Sequence, residues 1–227
     1  MAIKIECLDA LVFLKTLESN SVDLILTDPP YEISRKTNFQ SGGGVDRFAI
    51  SMDFGDWDYD FTELDTVLKE YYRILKPSGV LVIFYDLWKI SFLAELMKKE
   101  KFKQLRFIEW LKTNPVPINS KVNYLTNARE IALVGVKGGK SVFNSSYDNG
   151  IYSYPIYHGK DRFHTTQKPV KLFEEIILKH SNPGAIVVDT YLGSGTTAVA
   201  CKNTGREFKG CENNEVFFNQ IKERLNI

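Results

Sequence analysis

The tetrad Asp28-Pro29-Pro30-Tyr31 contains the residue types of this chain that are best suited to chemistry. It follows the apolar run of residues 22–26, which is typical of a buried strand, so we expect it at the strand's carboxyl end, where ligands bind in open α/β sheets. The two prolines fix two φ angles and leave the carbonyls of Asp28 and Pro29 available as acceptors. This set suits a planar group bearing an amino substituent. A capped turn with a surface tyrosine is the alternative.

A second pattern, near the end of the chain, indicates a turn that binds a nucleoside-like cofactor. An apolar strand over residues 185–190 leads into Gly193-Ser194-Gly195 and then into a predicted helix, so backbone amides at the helix start can approach a ligand closely. Glu212 ends the next predicted strand, where an acid that binds ribose belongs. Asp189, just before the turn, would repel a pyrophosphate but favour a cation such as a sulfonium. We therefore expect S-adenosylmethionine rather than NAD.

Length and composition are typical of one well-buried domain. The chain has 227 residues, of which 44% are hydrophobic, and its apolar stretches are too short to span a membrane. We predict a cytoplasmic protein with no membrane partner, since the first residues do not have the profile of a signal peptide. The three cysteines, Cys7, Cys201 and Cys211, are scattered and are interpreted as reduced core thiols, and the spacing of potential ligands predicts no metal site.

Charge is unevenly distributed along the chain. Residues 101–171 contain twelve Lys or Arg and four Asp or Glu, a net charge of +8, although the whole chain carries only +1. Such asymmetry is typical of a face that binds a polyanion. A solvated basic surface is an equally simple interpretation.

The periodicity of apolar residues predicts strands that alternate with helices. Predicted strands cover 3–7, 22–27, 80–85, 105–112, 131–136, 141–143, 185–190 and 207–212, and predicted helices cover 9–17, 61–75, 87–99, 170–180, 196–204 and 215–225. A turn is expected at 76–79, and strands 131–136 and 141–143 would form an antiparallel pair. Residues 144–166 read as a long loop. The alternation predicts an α/β fold, a mostly parallel sheet with helices on both faces.

Together these patterns resemble the DNA amino-methyltransferases, specifically the circularly permuted β group of adenine-N6 enzymes. In that group an Asp-Pro-Pro-Tyr motif precedes a variable recognition region and the glycine motif comes last, as in this chain. Between the two motifs, His164-Thr165-Thr166-Gln167-Lys168-Pro169 is similar to an element that lies over the methionine part of the cofactor. The resemblance implies a Rossmann-like S-adenosylmethionine-dependent methyltransferase domain over residues 1–227. It also implies a small DNA-recognition region at 112–163. The stretch 32–60, which has no usable period, is interpreted as a flexible loop near the active site.

The resemblance also implies roles for individual residues. Asp28 and the Pro29 carbonyl would accept hydrogen bonds from the target amino group, Pro30 would complete the rigid motif, and Tyr31 would stack on the base. Glu212 would bind the ribose hydroxyls. The implied cofactor-binding residues are Asp9, Asp28, His164, Thr166, Gln167, Lys168, Asp189, Tyr191, Gly193, Ser194, Gly195, Thr196, Thr197 and Glu212. Asp9 would serve equally well as a helix N-cap, and a lone histidine such as His164 is more often structural.

One departure concerns the residues that follow Asp189. The family usually has Pro and Phe where this chain has Thr190 and Tyr191. The aromatic contact survives, but the rigidity and polarity of the connection change. Cofactor affinity is the property that this departure affects.

The chemistry follows from the target group. An exocyclic amine on adenine is a poor nucleophile because its lone pair is delocalised into the ring. Acceptors at Asp28 and Pro29 would hold both amino protons out of the ring plane and favour the positive charge that develops on nitrogen. Flipping the base out of a duplex costs a few kcal/mol, and stacking on Tyr31 would offset roughly 1 to 3 kcal/mol of it.

The implied activity is transfer of a methyl group from S-adenosylmethionine to the N6 of a flipped adenine in a specific sequence of double-stranded DNA. Three alternatives stay open: an N4-cytosine DNA methyltransferase, an RNA adenine methyltransferase, and a catalytically silent DNA-binding module on the same fold. A homodimer and a cognate restriction endonuclease are also open as partners.

Overall fold

The computed structural model describes residues 2–30, 63–116, 125–160 and 162–227. Tyr31 and the loop predicted at 32–60 lie outside these residues. Within the four described ranges, no helix combines the length and the apolar character needed to cross a membrane.

The described chain forms a sheet of eight strands with the order β1-β8-β7-β2-β3-β5-β4-β6. Neighbouring strands from β1 to β3 are parallel, β5 is antiparallel to both β3 and β4, and β6 is parallel to β4. The mostly parallel sheet is therefore confirmed. The strands are β1 (Ile3–Glu6), β2 (Val22–Thr27), β3 (Leu75–Tyr85), β4 (Lys103–Lys112), β5 (Arg129–Val136), β6 (Ile151–Tyr154), β7 (Ile186–Asp189) and β8 (Glu207–Cys211).

Helices cover both faces of the sheet, as predicted. Leu24 of β2 belongs to the core on one face and Ile25 to the core on the other, which explains why this strand is a continuous apolar run. The first face is covered by α4 (Val170–His180), α5 (Thr196–Thr204) and α6 (Glu215–Leu225), and the second by α1 (Ala10–Thr16), α2 (Leu64–Ile74) and α3 (Ile90–Lys99). A short 3-10 turn, Leu87–Lys89, precedes α3.

The turn predicted at residues 76–79 is wrong, because these residues belong to β3. The register of β2 against β3 passes from Val22 opposite Leu75 to Leu24 opposite Val80, which inserts extra residues on β3. Ser78 has a φ of 70°, so the strand is bulged rather than broken. Proline and glycine are accepted at such an irregularity, and their usual turn signal is therefore misleading here.

The hairpin predicted between residues 131–136 and 141–143 is also wrong. Residues 141–143 are not in a strand, and β5 pairs with β3 and β4 instead. The loop predicted at 144–166 contains β6, which extends the sheet beside β4 and is too short to show a period of its own. Trp110 donates from its indole nitrogen to the Tyr154 carbonyl at 2.8 Å, which fixes β6 to β4.

Cys201 and Cys211 are buried core thiols, as predicted, but Cys7 is exposed. The prediction for Cys7 is wrong because β1, which it follows, is the edge strand of the sheet. A residue just beyond an edge strand has fewer neighbours to cover it.

Among the described residues of segment 101–171, basic side chains lie at both ends of the strands and not on one face. Val136 pairs with both Lys103 and Val80, which places Lys103 level with the amino end of the paired part of β3. Arg129, in contrast, pairs with Leu111 at the opposite edge, next to Lys112. Strands β4 and β5 are antiparallel, so a basic residue at the start of β4 and one at the start of β5 lie at opposite ends of the strand pair. The basic residues at the amino edge of β3 are Lys101, Lys103, Lys137 and Lys140.

Candidate active site

The two motifs meet at one edge of the sheet. Strands β2 and β7 are parallel neighbours, so Asp28, which follows β2, and Asp189, which ends β7, lie at adjacent carboxyl ends. A pocket of about 580 Å³ opens there, within the usual range for small-molecule sites. The predicted site residues that line it are Asp9, Asp28, Pro29, Pro30, His164, Thr166, Lys168, Asp189, Tyr191, Gly193, Ser194, Thr196, Thr197 and Glu212.

Gln167 and Gly195 are close to this pocket in sequence but are not among the residues that line it. Gln167 is buried, and its side-chain amide has no hydrogen-bond partner among the described residues. Gly195 has a φ of 73° and begins α5, and a Cβ there would lie 2.7 Å from Ile221 of α6. The geometry gives Gly195 a packing role between two helices.

Gly193 brings the turn after β7 close to His164. Its φ is 51°, and a Cβ at this position would lie 3.3 Å from the imidazole ring of His164. Its backbone N–H donates to Glu212 Oε2 at 2.8 Å. A glycine therefore serves both the left-handed conformation and the close approach.

Glu212 is fixed by backbone amides at the end of β8. Its second oxygen, Oε1, accepts from the N–H of Asn214 at 3.0 Å. Burial raises the pKa of Glu212 above its usual value, opposed by these amide donors. The carboxylate is thus held in a defined orientation beside the glycine turn.

Asp189 ties three elements together. Its Oδ1 accepts from Thr27 Oγ1 at 2.8 Å and from the Tyr191 N–H at 3.1 Å, and its Oδ2 accepts from Thr197 Oγ1 at 2.5 Å. Burial raises the pKa of Asp189 to about 7 despite these donors. Its charge at neutral pH is therefore sensitive to a cation in the pocket.

Asp9 caps a helix and also lines the pocket, so both roles that the sequence left open are compatible with its position. Its Oδ1 accepts from the backbone N–H groups of Leu11 at 2.9 Å and Val12 at 3.2 Å, so it is the N-cap of α1. It also lines the pocket. Geometry here does not force a choice between capping and ligand contact.

His164 is packed rather than solvated. Its ring meets Phe217 edge to face at 4.7 Å between centroids, and its Nδ1 lies 3.1 Å from Thr166 Oγ1. Burial, together with the nearby charges of Lys168 and Arg162, lowers the pKa of His164 to about 4. The imidazole is therefore neutral at pH 7.

Thr190, one of the two departures from the family pattern, has its hydroxyl satisfied. It forms a buried hydrogen bond with the Tyr71 hydroxyl of α2, and its carbonyl accepts from the Cys211 thiol at 3.3 Å. Its neighbour Tyr191 lines the pocket and is largely enclosed, and burial raises its pKa well above the usual value. The hydroxyl group that Thr190 introduces therefore has its hydrogen-bond partner in Tyr71 of α2.

Asp28 is part of a row of alternating charges that the sequence did not reveal, in which Lys168 is buried and the other members are partly buried. Its Oδ2 forms an ion pair with Lys168 Nζ, which also lies 3.1 Å from Glu130 Oε2, and Glu130 in turn pairs with Lys112 at 2.7 Å. The Lys168 ammonium also lies 5.6 Å from the centroid of the Phe84 ring. Glu130 carries no motif, and its position at the start of β5 gave the sequence no signal for it.

The row sets the protonation of its acids. Burial raises the pKa of Asp28, although Lys168 opposes the shift. Burial acts the same way on Glu130, but Lys168 and Lys112 together outweigh it and hold the pKa of Glu130 below its usual value.

This fold and this pocket define a Rossmann-like, S-adenosylmethionine-dependent methyltransferase. Residues 22–223 match the family described as DNA methylase, and the chain belongs to that family.

Named relatives agree with this assignment. The chain is 33% identical over 238 residues to the type II methyltransferase M2.DpnII of Streptococcus pneumoniae, covering 96% of this chain and 87% of that protein. It is 31% identical over 239 residues to the type II methyltransferase M2.LlaDCHI of Lactococcus lactis subsp. cremoris, with the same coverage.

Solved structures give the same result. The crystal structure of the M1.HpyAVI complex with S-adenosylmethionine superposes with a TM-score of 0.76 at 32% identity, covering 99% of this chain and all of that one. The cytosine-N4-specific PvuII DNA methyltransferase has a TM-score of 0.75 at 18% identity, covering 99% and 86%. The second likeness concerns the fold alone.

Proposed function

We propose that this protein transfers a methyl group from S-adenosylmethionine to the N6 of an adenine flipped out of a specific double-stranded DNA sequence. The observation that carries the proposal is the meeting of Asp28 and Pro29 with the Gly193 turn in one pocket. The hydrogen-bond acceptors proposed for the target amino group thus lie in the same pocket as the turn proposed to bind the cofactor, so the two substrates can be held next to each other. Relatives that cover most of the chain bear the name of type II methyltransferase.

The pocket fits S-adenosylmethionine, which supplies an activated methyl group on a sulfonium. Glu212, held by two backbone amides, is oriented to accept hydrogen bonds from ribose hydroxyls. Asp189 supplies a carboxyl group, and a nearby cation favours the ionised, negatively charged form of that group. The His164 ring lies next to Gly193 in the pocket lining, and because it is neutral it does not repel the positive charge of the sulfonium.

In this proposal Asp28 is the catalytic acceptor. Its carboxylate and the Pro29 carbonyl accept from the target amino group and stabilise the positive charge that grows on nitrogen. The prolines keep these acceptors rigid, so little reorganisation is needed. Tyr31, the predicted stacking partner, follows them directly in sequence.

Adenine is favoured over cytosine by residue type and not by fold. The PvuII enzyme, which is cytosine-N4-specific, has nearly the same fold similarity, so the fold accommodates either base. The resemblance of the motif, with Asp rather than Ser at position 28, favours adenine. An intact Asp28 and an intact glycine turn disfavour a silent module, and membership of a DNA methylase family disfavours RNA.

DNA recognition is assigned to residues 112–163. Arg129, which is exposed, places positive charge at the edge of the sheet that carries Asp28, which suits phosphate contact. The extent of the single domain, 1–227, a homodimer, a cognate restriction endonuclease and a cytoplasmic location remain predictions.

The test is incorporation of a tritiated methyl group into unmethylated genomic DNA, followed by mass spectrometry of the nucleosides. We expect N6-methyladenine. N4-methylcytosine, or no product, would overturn the proposal.

Asp28→Ala tests the role of the carboxylate. We expect turnover to fall by about 100-fold or more, because one charged acceptor at the reacting nitrogen is lost, while the Kd for S-adenosylmethionine changes little. Single-turnover kinetics and calorimetry separate the two quantities. An equal loss of both would make Asp28 a cofactor or folding residue.

A further inference from the structure

The row Lys112–Glu130–Lys168–Asp28 holds four charged side chains largely away from water, with side-chain exposures between 5% and 24%. Lys168 is 5% exposed and stands between two carboxylates, close to Asp28 and 3.1 Å from Glu130. Four charges of alternating sign cancel, so the row has no net charge. Such buried pairs contribute little net stability, since desolvation offsets attraction. A role in specifying geometry is the better physical explanation.

The two oxygens of Asp28 are in different situations. Oδ2 is held by Lys168, whereas Oδ1 is buried with no hydrogen-bond partner among the described residues. A buried carboxylate oxygen without a donor is costly, by about 1 to 3 kcal/mol. Oδ1 is therefore the Asp28 oxygen with unused capacity to accept a hydrogen bond, in a residue that lines the pocket.

The remaining members of the row hold Lys168 in place. Glu130 is the second residue of β5 and Lys112 ends β4, strands of the antiparallel part of the sheet, whereas Asp28 follows β2 of the parallel part. The Lys112 contact to Glu130 Oε1, at 2.7 Å, orients the carboxylate so that its other oxygen faces Lys168. The row thus joins the first residue of the proposed recognition region to the proposed acceptor.

We propose that Glu130 and Lys112 are positioning residues for methyl transfer, which hold Lys168 on Asp28 Oδ2 and so leave Oδ1 directed to the target amino group. This inference rests on the proposed function. It gives Lys168 a role on the amine side of the pocket, in addition to any contact with the cofactor. Neither Glu130 nor Lys112 touches a reacting atom.

The charges that act on Asp28 come from every side of the site. Lys168 and Lys112 favour its ionised form, whereas Glu130 and the neighbouring Asp189 oppose it. Removing a cation must therefore raise the pH at which Asp28 becomes ionised, and removing Glu130 must lower it. The shifts of opposite sign test whether these charges act on Asp28, and the maximal rate of transfer tests whether they position Lys168.

The experiment measures the single-turnover rate of methyl transfer against pH, with DNA and S-adenosylmethionine both saturating. We expect the acid limb to move to higher pH in Lys168→Met, by about 1 to 3 units, and by less in Lys112→Met. It should move to lower pH in Glu130→Gln. We also expect the plateau rate of Glu130→Gln to fall about tenfold, because Lys168 loses an anchor. Lys112→Arg keeps the positive charge and should therefore show the wild-type pH profile.

Glu109→Gln is the matched control. Glu109 lies on β4 and pairs with Arg129 at 2.8 Å, so this change removes one acidic charge from the same edge without touching the row. Its acid limb should stay in place. Urea unfolding of each variant tests whether it is folded. If Lys168→Met does not fold, the directions in which the acid limb moves in Lys112→Met and Glu130→Gln still test the inference.

Unmoved acid limbs in Glu130→Gln and Lys112→Met, or shifts of the same sign, would overturn the inference. A change confined to the Kd for S-adenosylmethionine would make the row part of the cofactor site only. Wild-type protein that makes no N6-methyladenine would refute the proposed function itself, which separates the two failures.

Discussion

At the scale of single residues, this site works with buried carboxylates whose charge is set by few partners. Asp28 has one oxygen on Lys168 and one without a partner among the described residues, and Asp189 has both oxygens on hydroxyl and amide donors. Burial raises the pKa of both acids. The two carboxylates therefore differ. Asp28 has an oxygen that can still accept a hydrogen bond, whereas both oxygens of Asp189 already accept hydrogen bonds and only its negative charge can act on a ligand.

Asp189 should make cofactor binding depend on pH. Its pKa of about 7 means that it is largely protonated below pH 7, and a sulfonium prefers the ionised form. Affinity for S-adenosylmethionine should therefore fall as pH is lowered through 7, by up to about tenfold per pH unit. Calorimetry at pH 6, 7 and 8 measures this.

Two variants identify the residue responsible. Asp189→Asn should bind more weakly at pH 8 and lose the dependence. Thr27→Val keeps the shape but removes a donor to Asp189, so the midpoint should move to higher pH. An unchanged slope in Asp189→Asn would assign the titration to another group.

At the scale of elements, the turn between β7 and α5 depends on what approaches it as well as on its own backbone. Both Gly193 and Gly195 have positive φ, but different neighbours fill the space where a side chain would be. At Gly193 the neighbour is His164, from the element between the two motifs, and at Gly195 it is Ile221 of α6. The turn is therefore the point at which three separate parts of the chain meet.

Gly193→Ala should weaken cofactor binding beyond its cost in stability. Alanine in a left-handed conformation costs about 1 to 2 kcal/mol, and its Cβ would also press on the His164 ring at 3.3 Å. We expect a lower free energy of unfolding in urea and a clear rise in the Kd for S-adenosylmethionine.

Gly184→Ala is the control for backbone strain alone. Gly184 has a φ of 76°, and a Cβ there would have nothing within 4 Å. It should lose a similar amount of stability and bind the cofactor normally. Equal effects of the two variants on binding would show that the contact with His164 is unimportant.

At the scale of the whole molecule, the segment before β6 is fastened to α4. Asn144 donates from its side chain to the carbonyls of Leu178 and Ser181, at 3.0 Å each, and Lys179 pairs with Asp148 at 2.6 Å. The ring of His180, at the end of α4, packs on Phe143. These contacts bring the proposed recognition region onto the helix layer of the methyltransferase core.

His180 should make stability depend on pH. Burial lowers its pKa to about 4, although a helix C-terminus ordinarily favours a cation. As pH falls below about 6.5, the unfolded chain binds a proton that the folded protein excludes, so folding loses up to about 1.4 kcal/mol per pH unit until pH 4.

Comparison with His180→Gln isolates this contribution, because Asp189 and other acids titrate in both proteins. The difference in unfolding free energy between wild type and variant, measured in urea from pH 7 to 4.5, should change in favour of the variant as pH falls. A constant difference would mean that His180 has the same pKa in the folded protein as in the unfolded chain.

The sequence by itself determined the features that depend on short stretches of chain. Apolar runs placed β2 and β7, the two prolines and two glycines marked where those strands end, and Asp9 was recognisable as a cap, because backbone preferences and side-chain periodicity are local properties. The order of the motifs then predicted the family and the methyl donor.

Only the tertiary structure decided which distant residues meet. The pairing of Lys168 with Asp28 and Glu130 joins a residue that precedes α4, one that follows β2 and one in β5, so it depends on how these elements pack together. The turn expected at 76–79 became a bulge for the same reason, since β3 is held by pairing on both sides. Register depends on which faces of neighbouring strands are buried together, so the pattern of one strand does not fix it without its partners.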